Sequence, residues 1–381
     1  MSKEKMSQPK KILFVANVHW FYLHFLLPYI QWLTQMGHEV HVVAGSNEIV
    51  PFATRQYNIP IQRTPFSWKN VKAYLELKKI IHENNYDLIH CHTPLGGVIA
   101  RLAARSFRKN IGLKVLYTAH GFYFYKGAPI LYWLLYYPVE KYLSRYTDGL
   151  ITINEEDFNN TRRFGFKCRE IFQIPGIGVN TVKFRSVSSE VKSQIRMEKG
   201  YSENAFILIY AAEFIHRKNH RLIIDAIPQL IVQIPGLKVI FAGAGELNNE
   251  LEFYTKKKGL LKIIDFVGYR NDMEKWMGMA DVVISSCRME GLPMNVAEAM
   301  FCGLPVVVTK IRGHVDLVTN GVNGLLFEEG DGEAFARHIL DLYRSKELRE
   351  KLGNKAKETV QPFGIENVKN YMNKYYKMVL S

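Results

Sequence analysis

Short apolar runs and helix-length amphipathic segments alternate along the first half of the chain. Runs of about four to eight apolar residues are typical of strands that are buried on both faces of a parallel sheet. The predicted strands read KILFVA, HEVHVVA, DLIHCH, KVLYTAH and GLITIN, and the predicted helices cover residues 23–36, 69–83, 96–107 and 129–144. Strands and helices that alternate in this way predict a doubly wound parallel sheet.

The same pattern starts again after the Pro- and Gly-rich segment 174–180. The strands of this half read AFILIYAA, LKVIFAGAG, IIDFVG, DVVISSC and PVVVT, and its helices cover residues 220–233, 247–257, 273–279 and 295–301. Two similar halves predict two Rossmann-like domains, residues 1–177 and 178–363, followed by a terminal segment, 364–381. Ligands of such sheets bind beyond the carboxyl ends of the strands, so two facing sheets would enclose a cleft lined by strand-end loops.

Composition narrows the class of protein. A chain of 381 residues with 48% hydrophobic and 23% charged residues excludes disordered, collagen-like and disulfide-scaffold proteins. The formal net charge is +14, and residues 1–175 carry +10 of it, from 22 basic and 12 acidic side chains. Such an excess predicts a polyanionic partner: nucleic acid, an anionic membrane face or a phosphate-bearing ligand.

The cysteines and the apolar stretches bear on location. The four cysteines lie far apart without a Cys-x-x-Cys pair, which predicts neither a zinc site nor a disulfide framework. The polar start of the chain does not resemble an export signal, and the most apolar stretch, residues 130–139, is about half as long as a bilayer span. We therefore expect a cytoplasmic protein that does not cross the membrane.

Two glutamates eight positions apart follow the predicted strand DVVISSC. Glu290 lies at the strand end, residues 291–294 predict a tight loop, and Glu298 falls in the first turns of the next helix. Free amides at a helix start suit a phosphate or sugar hydroxyls, and two nearby carboxylates suit a hydroxyl-rich ligand such as ribose or a hexose. The alternative is a surface Glu290 and a Glu298 favoured only by the helix dipole. The flanking strand and the restart of the sheet favour the ligand site.

Histidines end two predicted strands of the first half. His120 ends KVLYTAH, where a side chain can face the cleft, although a lone histidine is more often a structural residue. His90 and His92 flank Cys91, and strand alternation places both on one face. Without carboxylate or cysteine partners they would make a poor metal site, and we assign His92 as a candidate contact to an acceptor.

Gly243 and Gly245 follow the strand LKVIFA. A Gly-x-Gly turn invites a dinucleotide-binding interpretation, but the third glycine of that fingerprint is absent and the turn lies in the second sheet. A tight strand-to-helix turn explains both glycines without a ligand, and we favour it.

With these motifs in place, the chain resembles the retaining family 4 glycosyltransferases of the GT-B fold, especially those of bacterial capsule and exopolysaccharide synthesis. The resemblance covers nearly the whole chain through IHCHTPLGGVIARLAAR, YTAHGFYFYKGAP, INEEDF, IPGIGVN, RKNHRLI, FAGAGE, FVGYRNDM, EGLPMNVAEAM and GVNGLLF. It implies an α/β GT-B architecture, two Rossmann-like doubly wound domains facing a cleft. The first domain would bind the acceptor, the second the nucleotide-sugar donor, and the C-terminal helix would pack back on the first.

The resemblance also implies roles for individual residues. Glu290 would contact hydroxyls of the donor sugar, Glu298 would hold the ribose, and His120 would hydrogen-bond the donor sugar rather than act as a base. Lys218 would neutralise the charge that develops on the diphosphate leaving group. The loop that would hold the sugar and the diphosphate consists of Gly291, Leu292, Pro293, Met294 and Asn295.

One position departs from the family pattern. Many relatives carry Gly-Arg-Leu where this chain has Ala212-Glu213-Phe214, so the usual diphosphate arginine is missing. Arg217, next to Lys218, is the candidate substitute, and Glu213 would have to point away from a diphosphate or pair with that arginine. The alternative is that Arg217 and Lys218 belong to a solvated basic loop.

We predict no metal and no other cofactor. The chain contains no Asp-x-Asp pair, and magnesium at a nucleotide diphosphate usually requires closely spaced carboxylates. Basic side chains and a helix start would replace the cation. The resemblance further implies retention of anomeric configuration, with the departing phosphate oxygen assisting the incoming hydroxyl on the same face of the sugar.

Ten aromatic residues lie between Phe122 and Tyr146, interleaved with Lys126, Lys141 and Arg145. Amphipathic rings and basic side chains are favoured at an anionic leaflet, which predicts peripheral contact with the inner membrane face. The alternative is packing inside the first domain. Single-stranded nucleic acid would use the same residue types, but no nucleic-acid-binding module is recognisable.

Together these features predict a retaining glycosyltransferase that moves a hexose or N-acetylhexosamine from a UDP-sugar to a saccharide on a polyprenyl diphosphate, in exopolysaccharide or capsule synthesis. Its partners would be the donor, the lipid-linked acceptor and the membrane, and not nucleic acid. Two alternatives stay open: a dinucleotide-dependent oxidoreductase, and a non-catalytic membrane-associated scaffold of the same fold.

Overall fold

The computed structural model describes residues 8–381 and divides into two compact units. The first unit comprises the chain up to Ile177 together with Val368–Ser381, and the second comprises Gly178–Asn367. Within residues 8–381, no helix is long and apolar enough to cross a membrane.

A seven-stranded parallel sheet forms the first unit, in the order β3-β2-β1-β4-β5-β6-β7. Its strands are β1 Lys11–Val15, β2 Glu39–Ala44, β3 Arg55–Asn58, β4 Leu88–His92, β5 Lys114–Ala119, β6 Gly149–Thr152 and β7 Glu170–Gln173. The order winds outward in both directions from β1 and β4, which confirms the predicted doubly wound topology. The edge strands β3 and β7 were not predicted, because an edge strand has an exposed side and carries polar residues instead of an apolar run.

Helices cover the sheet of the first unit. They are α1 His19–Phe21, α2 Leu27–Gln35, α3 Lys69–Asn84, α4 Pro94–Ala104, α5 Phe107–Asn110, α6 Ile130–Leu143 and α7 Glu155–Arg163. The single helix predicted over residues 23–36 is wrong in detail: it begins earlier and contains a π-helical turn at Tyr22–Leu26. Pro28, which has no amide hydrogen, stands where the ordinary helical ladder resumes. The helix predicted over 96–107 begins instead at Pro94, since proline suits a first helical turn.

A six-stranded parallel sheet forms the second unit, in the order β10-β9-β8-β11-β12-β13. Its strands are β8 Phe206–Ala211, β9 Leu237–Ala242, β10 Ile264–Gly268, β11 Val282–Ser285, β12 Val306–Thr309 and β13 Leu325–Phe327. Its helices are α8 Ser189–Glu198, α9 His220–Ile231, α10 Asn248–Lys257, α11 Met273–Met279, α12 Met294–Phe301, α13 His314–Leu317, α14 Gly332–Arg344 and α15 Lys346–Thr359. The winding reverses between β8 and β11, so the loops after these two neighbouring strands meet at the switch point where ligands bind in such folds.

The last helix, α16 Ile365–Leu380, starts in the second unit and continues into the first. Its hydroxyl groups reach the sheet of the first unit: Tyr376 lies 2.7 Å from the Nδ1 atom of His90, and Tyr375 donates to the carbonyl of Gln173 at 3.0 Å. These contacts place the end of the chain against β4, which carries His90, and against the edge strand β7.

Candidate active site

Glu290 lies in the loop after β11, at the switch point of the second sheet. Its side chain is 11% exposed and forms ion pairs with Lys218 and, at 3.4 Å, with Arg217. Burial raises the pKa of Glu290, but the charges of Lys218 and Arg217 outweigh it and hold the pKa at about 2. The structure therefore brings two other predicted site residues, Lys218 and Arg217, to the ionised carboxylate of Glu290.

Lys218 and Arg217 belong to a single turn of 3-10 helix between β8 and α9. The carbonyl of Lys218 accepts hydrogen bonds from the Tyr210 hydroxyl at 2.8 Å and from the Ser286 hydroxyl at 3.2 Å. The amide of Arg288 donates to the carbonyl of Arg217 at 2.8 Å. These bonds join the basic turn to the end of β11. The turn is therefore held by the sheet and is not a loosely solvated loop.

Residues outside the predicted motifs also support Glu290. Arg312 Nε donates to the carbonyl of Glu290 at 3.0 Å, and buried His314 adds a further influence that lowers the pKa of the Glu290 carboxyl. Both lie in or next to the loop after β12, the next strand of the sheet. The sequence carries no spacing signal for them, since only the neighbouring positions of β11 and β12 bring that loop to Glu290.

The loop Gly291–Pro293 leads directly into α12, which begins at Met294. Amides in the first turn of a helix have no partner within the helix and are available to an anion or a hydroxyl. The Asn295 side chain is engaged, since its Nδ2 atom donates to the carbonyl of Ala211 at 2.9 Å. Asn295 therefore joins α12 to the end of β8, and its predicted contribution to ligand binding would come from the backbone.

Glu298 lies in the second turn of α12 and is half-buried. Burial raises its pKa to about 8, Glu274 adds to the rise, and Lys183 opposes it. Two glutamates eight positions apart thus differ in charge state near neutrality: Glu290 is ionised and Glu298 is largely protonated. The environments explain the difference, because Glu290 has two cationic partners close by.

The Gly243–Gly245 turn packs against the backbone of the segment 212–214. A Cβ atom on Gly243 would lie 1.9 Å from the carbonyl oxygen of Ala212, and one on Gly245 would lie 2.4 Å from that of Phe214. Close packing of two loops therefore accounts for both glycines without a dinucleotide. Glu213 is exposed in this segment, and Arg217 contacts Glu290 and the carbonyl of Met289.

The first unit carries the predicted histidines at the ends of β4 and β5. His92 Nδ1 lies 3.1 Å from His120 Nε2, and the rings of His90 and His92 are 4.1 Å apart, which confirms that His90 and His92 share a face. His92 is 1% exposed, beneath His120. The contact of His92 with an acceptor stays a prediction, and in the structure its side chain lies against His120.

The described residues hold no group of three or more His, Cys, Asp or Glu side chains arranged to bind a metal ion. What the second unit offers a ligand is two cationic side chains, an ionised carboxylate, a protonated carboxyl and the amides of a helix start. That set suits a phosphate-bearing molecule with hydroxyl groups.

Comparison with known proteins adds independent findings. Two family models match the chain: Glycosyltransferase Family 4 over residues 26–181 and Glycosyl transferases group 1 over residues 191–359. The putative glycosyltransferase EpsD of Bacillus subtilis (strain 168) is 46% identical over 354 residues, 93% of each chain. The UDP-Gal:alpha-D-GlcNAc-diphosphoundecaprenol alpha-1,3-galactosyltransferase of Escherichia coli is 28% identical over 321 residues, 82% of this chain and 81% of that one.

Among solved structures, Anabaena Alr3699/HepE in complex with UDP and glucose matches with a TM-score of 0.80. The sequences are 19% identical, and the match covers 97% of this chain and 100% of that one. At this identity the match bears on the fold: two doubly wound parallel sheets in one chain.

Proposed function

The chain belongs to family 4 of the glycosyltransferases and has their GT-B fold, and on this premise we propose that it moves a hexose or N-acetylhexosamine from a UDP-sugar to a lipid-linked saccharide with retention of configuration. The observation that carries the proposal is the Lys218–Glu290–Arg217 cluster at the switch point of the second sheet. The process that we propose for this transfer is exopolysaccharide or capsule synthesis.

The cluster suits both ends of a sugar–diphosphate bond. The ammonium of Lys218 lowers the pKa of Glu290, so the carboxylate stays ionised and can accept hydrogen bonds from sugar hydroxyls. Glu290 in turn holds Lys218 in place, where its charge would stabilise the diphosphate as the bond breaks. Arg217 would supply the second positive charge in place of the family arginine. No metal is needed in this scheme, and the departing phosphate oxygen would assist the incoming hydroxyl on the same face.

Glu298 would hold the ribose through its carboxyl oxygens. Because its pKa is raised to about 8, a ligand that binds the ionised form displaces a proton below that pH. UDP affinity is then expected to rise with pH up to about 8 and to level off above it. The name of the Escherichia coli relative specifies UDP-galactose, which supports a uridine diphosphate donor for this chain as well.

A lipid-linked acceptor is supported by the same relative, whose name specifies a diphosphoundecaprenol carrier. The excess of basic residues in the first 175 positions suits a diphosphate and an anionic leaflet. We propose that the first unit binds this acceptor and contacts the inner membrane face.

Helix α6 provides the surface for that contact. Its exposed residues form a single stripe at helical spacing, with Ile130 74% and Leu134 66% exposed. The stripe consists of Ile130, Leu131, Leu134, Leu135, Val139 and Tyr142. Exposed Lys126 and Arg145 lie just before and just after the helix, and an apolar stripe with basic neighbours suits an anionic bilayer.

Many of the aromatic residues predicted to enter the membrane lie in or against the core of the first unit. Phe122 and Phe124 are buried, while Trp133 and Tyr137 pack against the same core. On its inner face α6 is anchored by a buried ion pair, with Arg101 Nη1 2.9 Å from Glu140 Oε2. Packing inside the first unit therefore accounts for these rings, and the exposed apolar surface is largely aliphatic.

Replacing Leu131 and Leu134 with glutamate is expected to reduce binding to phosphatidylglycerol vesicles at least about tenfold. The double variant loses two apolar side chains and gains two negative charges, which the anionic lipid repels. Vesicle sedimentation measures this, with phosphatidylcholine vesicles as the neutral comparison. Val232→Glu with Phe253→Glu, two exposed apolar positions of the second unit, is the matched control and should bind as the unsubstituted protein does. Equal binding by both double variants would refute the α6 surface.

A nucleotide panel tests the proposed function itself. UDP and UDP-sugars are expected to raise Tm by about 5 to 10 °C at 100 times Kd, since they bind only the folded protein. The panel includes NAD, GDP and ADP and is run with EDTA present. A rise with NAD but not with UDP would favour the oxidoreductase. UDP binding without transfer of sugar to any diphosphate-linked saccharide would favour the non-catalytic scaffold.

A further inference from the structure

The hydrogen bond between His92 Nδ1 and His120 Nε2 contains one proton, and either nitrogen can carry it. Burial lowers the pKa of both rings, that of His120 to about 4, so each is neutral near pH 7 and carries one N–H. In the first arrangement His92 Nδ1–H donates to His120 Nε2. In the second, His120 Nε2–H donates to His92 Nδ1.

The other nitrogen of His92 distinguishes the two arrangements. Among residues 8–381, His92 Nε2 is buried and has no hydrogen-bond partner. The second arrangement would leave an N–H donor in that position, whereas the first leaves only a lone pair. Buried donors without a partner are the rarer defect, so the first arrangement is favoured.

The surroundings offer His92 Nε2 little compensation. The cavity beside the ring has a volume of about 10 Å³, at the lower limit for one water, and most of its other walls are apolar. His90, whose ring centroid lies 4.1 Å from that of His92, is already engaged, with Nδ1 at 2.7 Å from the Tyr376 hydroxyl and Nε2 at 2.8 Å from the Thr118 hydroxyl. Phe14 stacks parallel to the His92 ring with centroids 5.8 Å apart and restricts its rotation.

We propose that His92 is a positioning residue that fixes His120 in the tautomer with its proton on Nδ1. His120 Nε2 is then occupied as an acceptor, and Nδ1–H is the group that His120 presents to a ligand. Within the described residues Nδ1 of His120 has no protein partner and is not among the enclosed polar atoms. His120 therefore acts as a hydrogen-bond donor to an oxygen of the bound sugar and has no free lone pair with which to act as a base. That the ligand is a sugar rests on the proposed function, whereas the tautomer of His120 does not.

The ring nitrogens report the tautomer directly in the full chain. In nitrogen NMR spectra of protein with isotope-labelled histidine, protonated and unprotonated ring nitrogens resonate far apart. We expect His120 to show a protonated Nδ1 and an unprotonated Nε2, without any ligand. A protonated Nε2 on His120 would overturn the proposal, whatever the activity.

Variants of His92 test the consequence. His92→Phe removes the hydrogen-bond donor to His120 and is expected to lower kcat about 10- to 100-fold, the size of effect found when a metal-bound histidine loses its hydrogen-bonding partner. The effect on KM for the sugar donor should be smaller. His92→Asn retains an N–H near the Nδ1 position and should restore both the tautomer and most of kcat. Tm of each variant shows whether it folds.

His90→Asn is the matched control, because His90 lies on the same strand and face but does not contact the His120 nitrogens. It should leave the His120 tautomer and kcat within about threefold of the starting protein. Equal losses in the His90 and His92 variants, without recovery in His92→Asn, would reduce His92 to a packing residue. If the unsubstituted protein shows the expected tautomer but neither binds nor turns over UDP-sugars, the proposed function fails and the tautomer assignment stands.

Discussion

Lys218→Ala is expected to lower kcat for sugar transfer by about 100- to 1,000-fold, the usual effect of removing one preorganised group that stabilises developing charge. The Lys218 side chain is 12% exposed, and the hydroxyls of Tyr210 and Ser286 donate to the Lys218 backbone carbonyl and hold the backbone in place. The ammonium group therefore loses little freedom when the diphosphate forms. Single-turnover rates at saturating donor measure the effect on the chemical step.

Two variants make the Lys218 result interpretable. Lys218→Arg keeps the charge and should lose far less activity than the alanine variant. Lys310→Ala removes another lysine of the second unit, paired with Glu328 on an exposed surface, and should leave kcat unchanged. A kcat for Lys218→Ala within threefold of the starting value, with Tm preserved, would show that Lys218 does not act on the leaving group.

Glu290→Gln is expected to lower kcat/KM by about 100-fold and to destabilise the second unit. The neutral amide is a weaker acceptor for sugar hydroxyls, and Lys218 and Arg217 lose the carboxylate that both face. Steady-state kinetics measure the first effect, and urea unfolding measures the second. Glu328→Gln, in the exposed pair with Lys310, is the matched control and should change neither quantity appreciably.

The loss of stability in Glu290→Gln should depend on pH in a defined direction. The pKa of Glu290 in the folded protein is about 2, below its ordinary value of 4.5, so ionised Glu290 stabilises the fold above about pH 4.5. That contribution fades as the pH falls from about 4.5 toward 2. The difference in unfolding midpoint between Glu290→Gln and the starting protein should therefore be full at neutral pH and shrink below about pH 4.5. A difference that grows with acidity would contradict the assigned ion pairs.

Three features could not be predicted because each depends on where a residue lies in the fold and not on its type. Strands β3 and β7 lie at sheet edges, where polar residues are tolerated, so no apolar run marks them. The rings between Phe122 and Tyr146 suit a membrane surface and a core equally well by residue type, and only their packing separates the two. His92 is apparent from the sequence as a strand-end histidine, but its burial beneath His120 depends on the pairing of β4 with β5.

The sequence by itself determined the two doubly wound sheets and the strand-end positions of Glu290 and His120, whereas Lys218 was assigned through the family resemblance. It could do so because strands buried on both faces require continuous apolar runs, and functional side chains of such folds follow those strands. Only the tertiary structure decided which atoms meet. Lys218 pairs with Glu290 across 72 positions of the chain because β8 and β11 are neighbours at the switch point. The charge state of each carboxyl and the proton position on His120 follow from such long-range contacts, because a pKa is set by burial and by neighbouring charges in space.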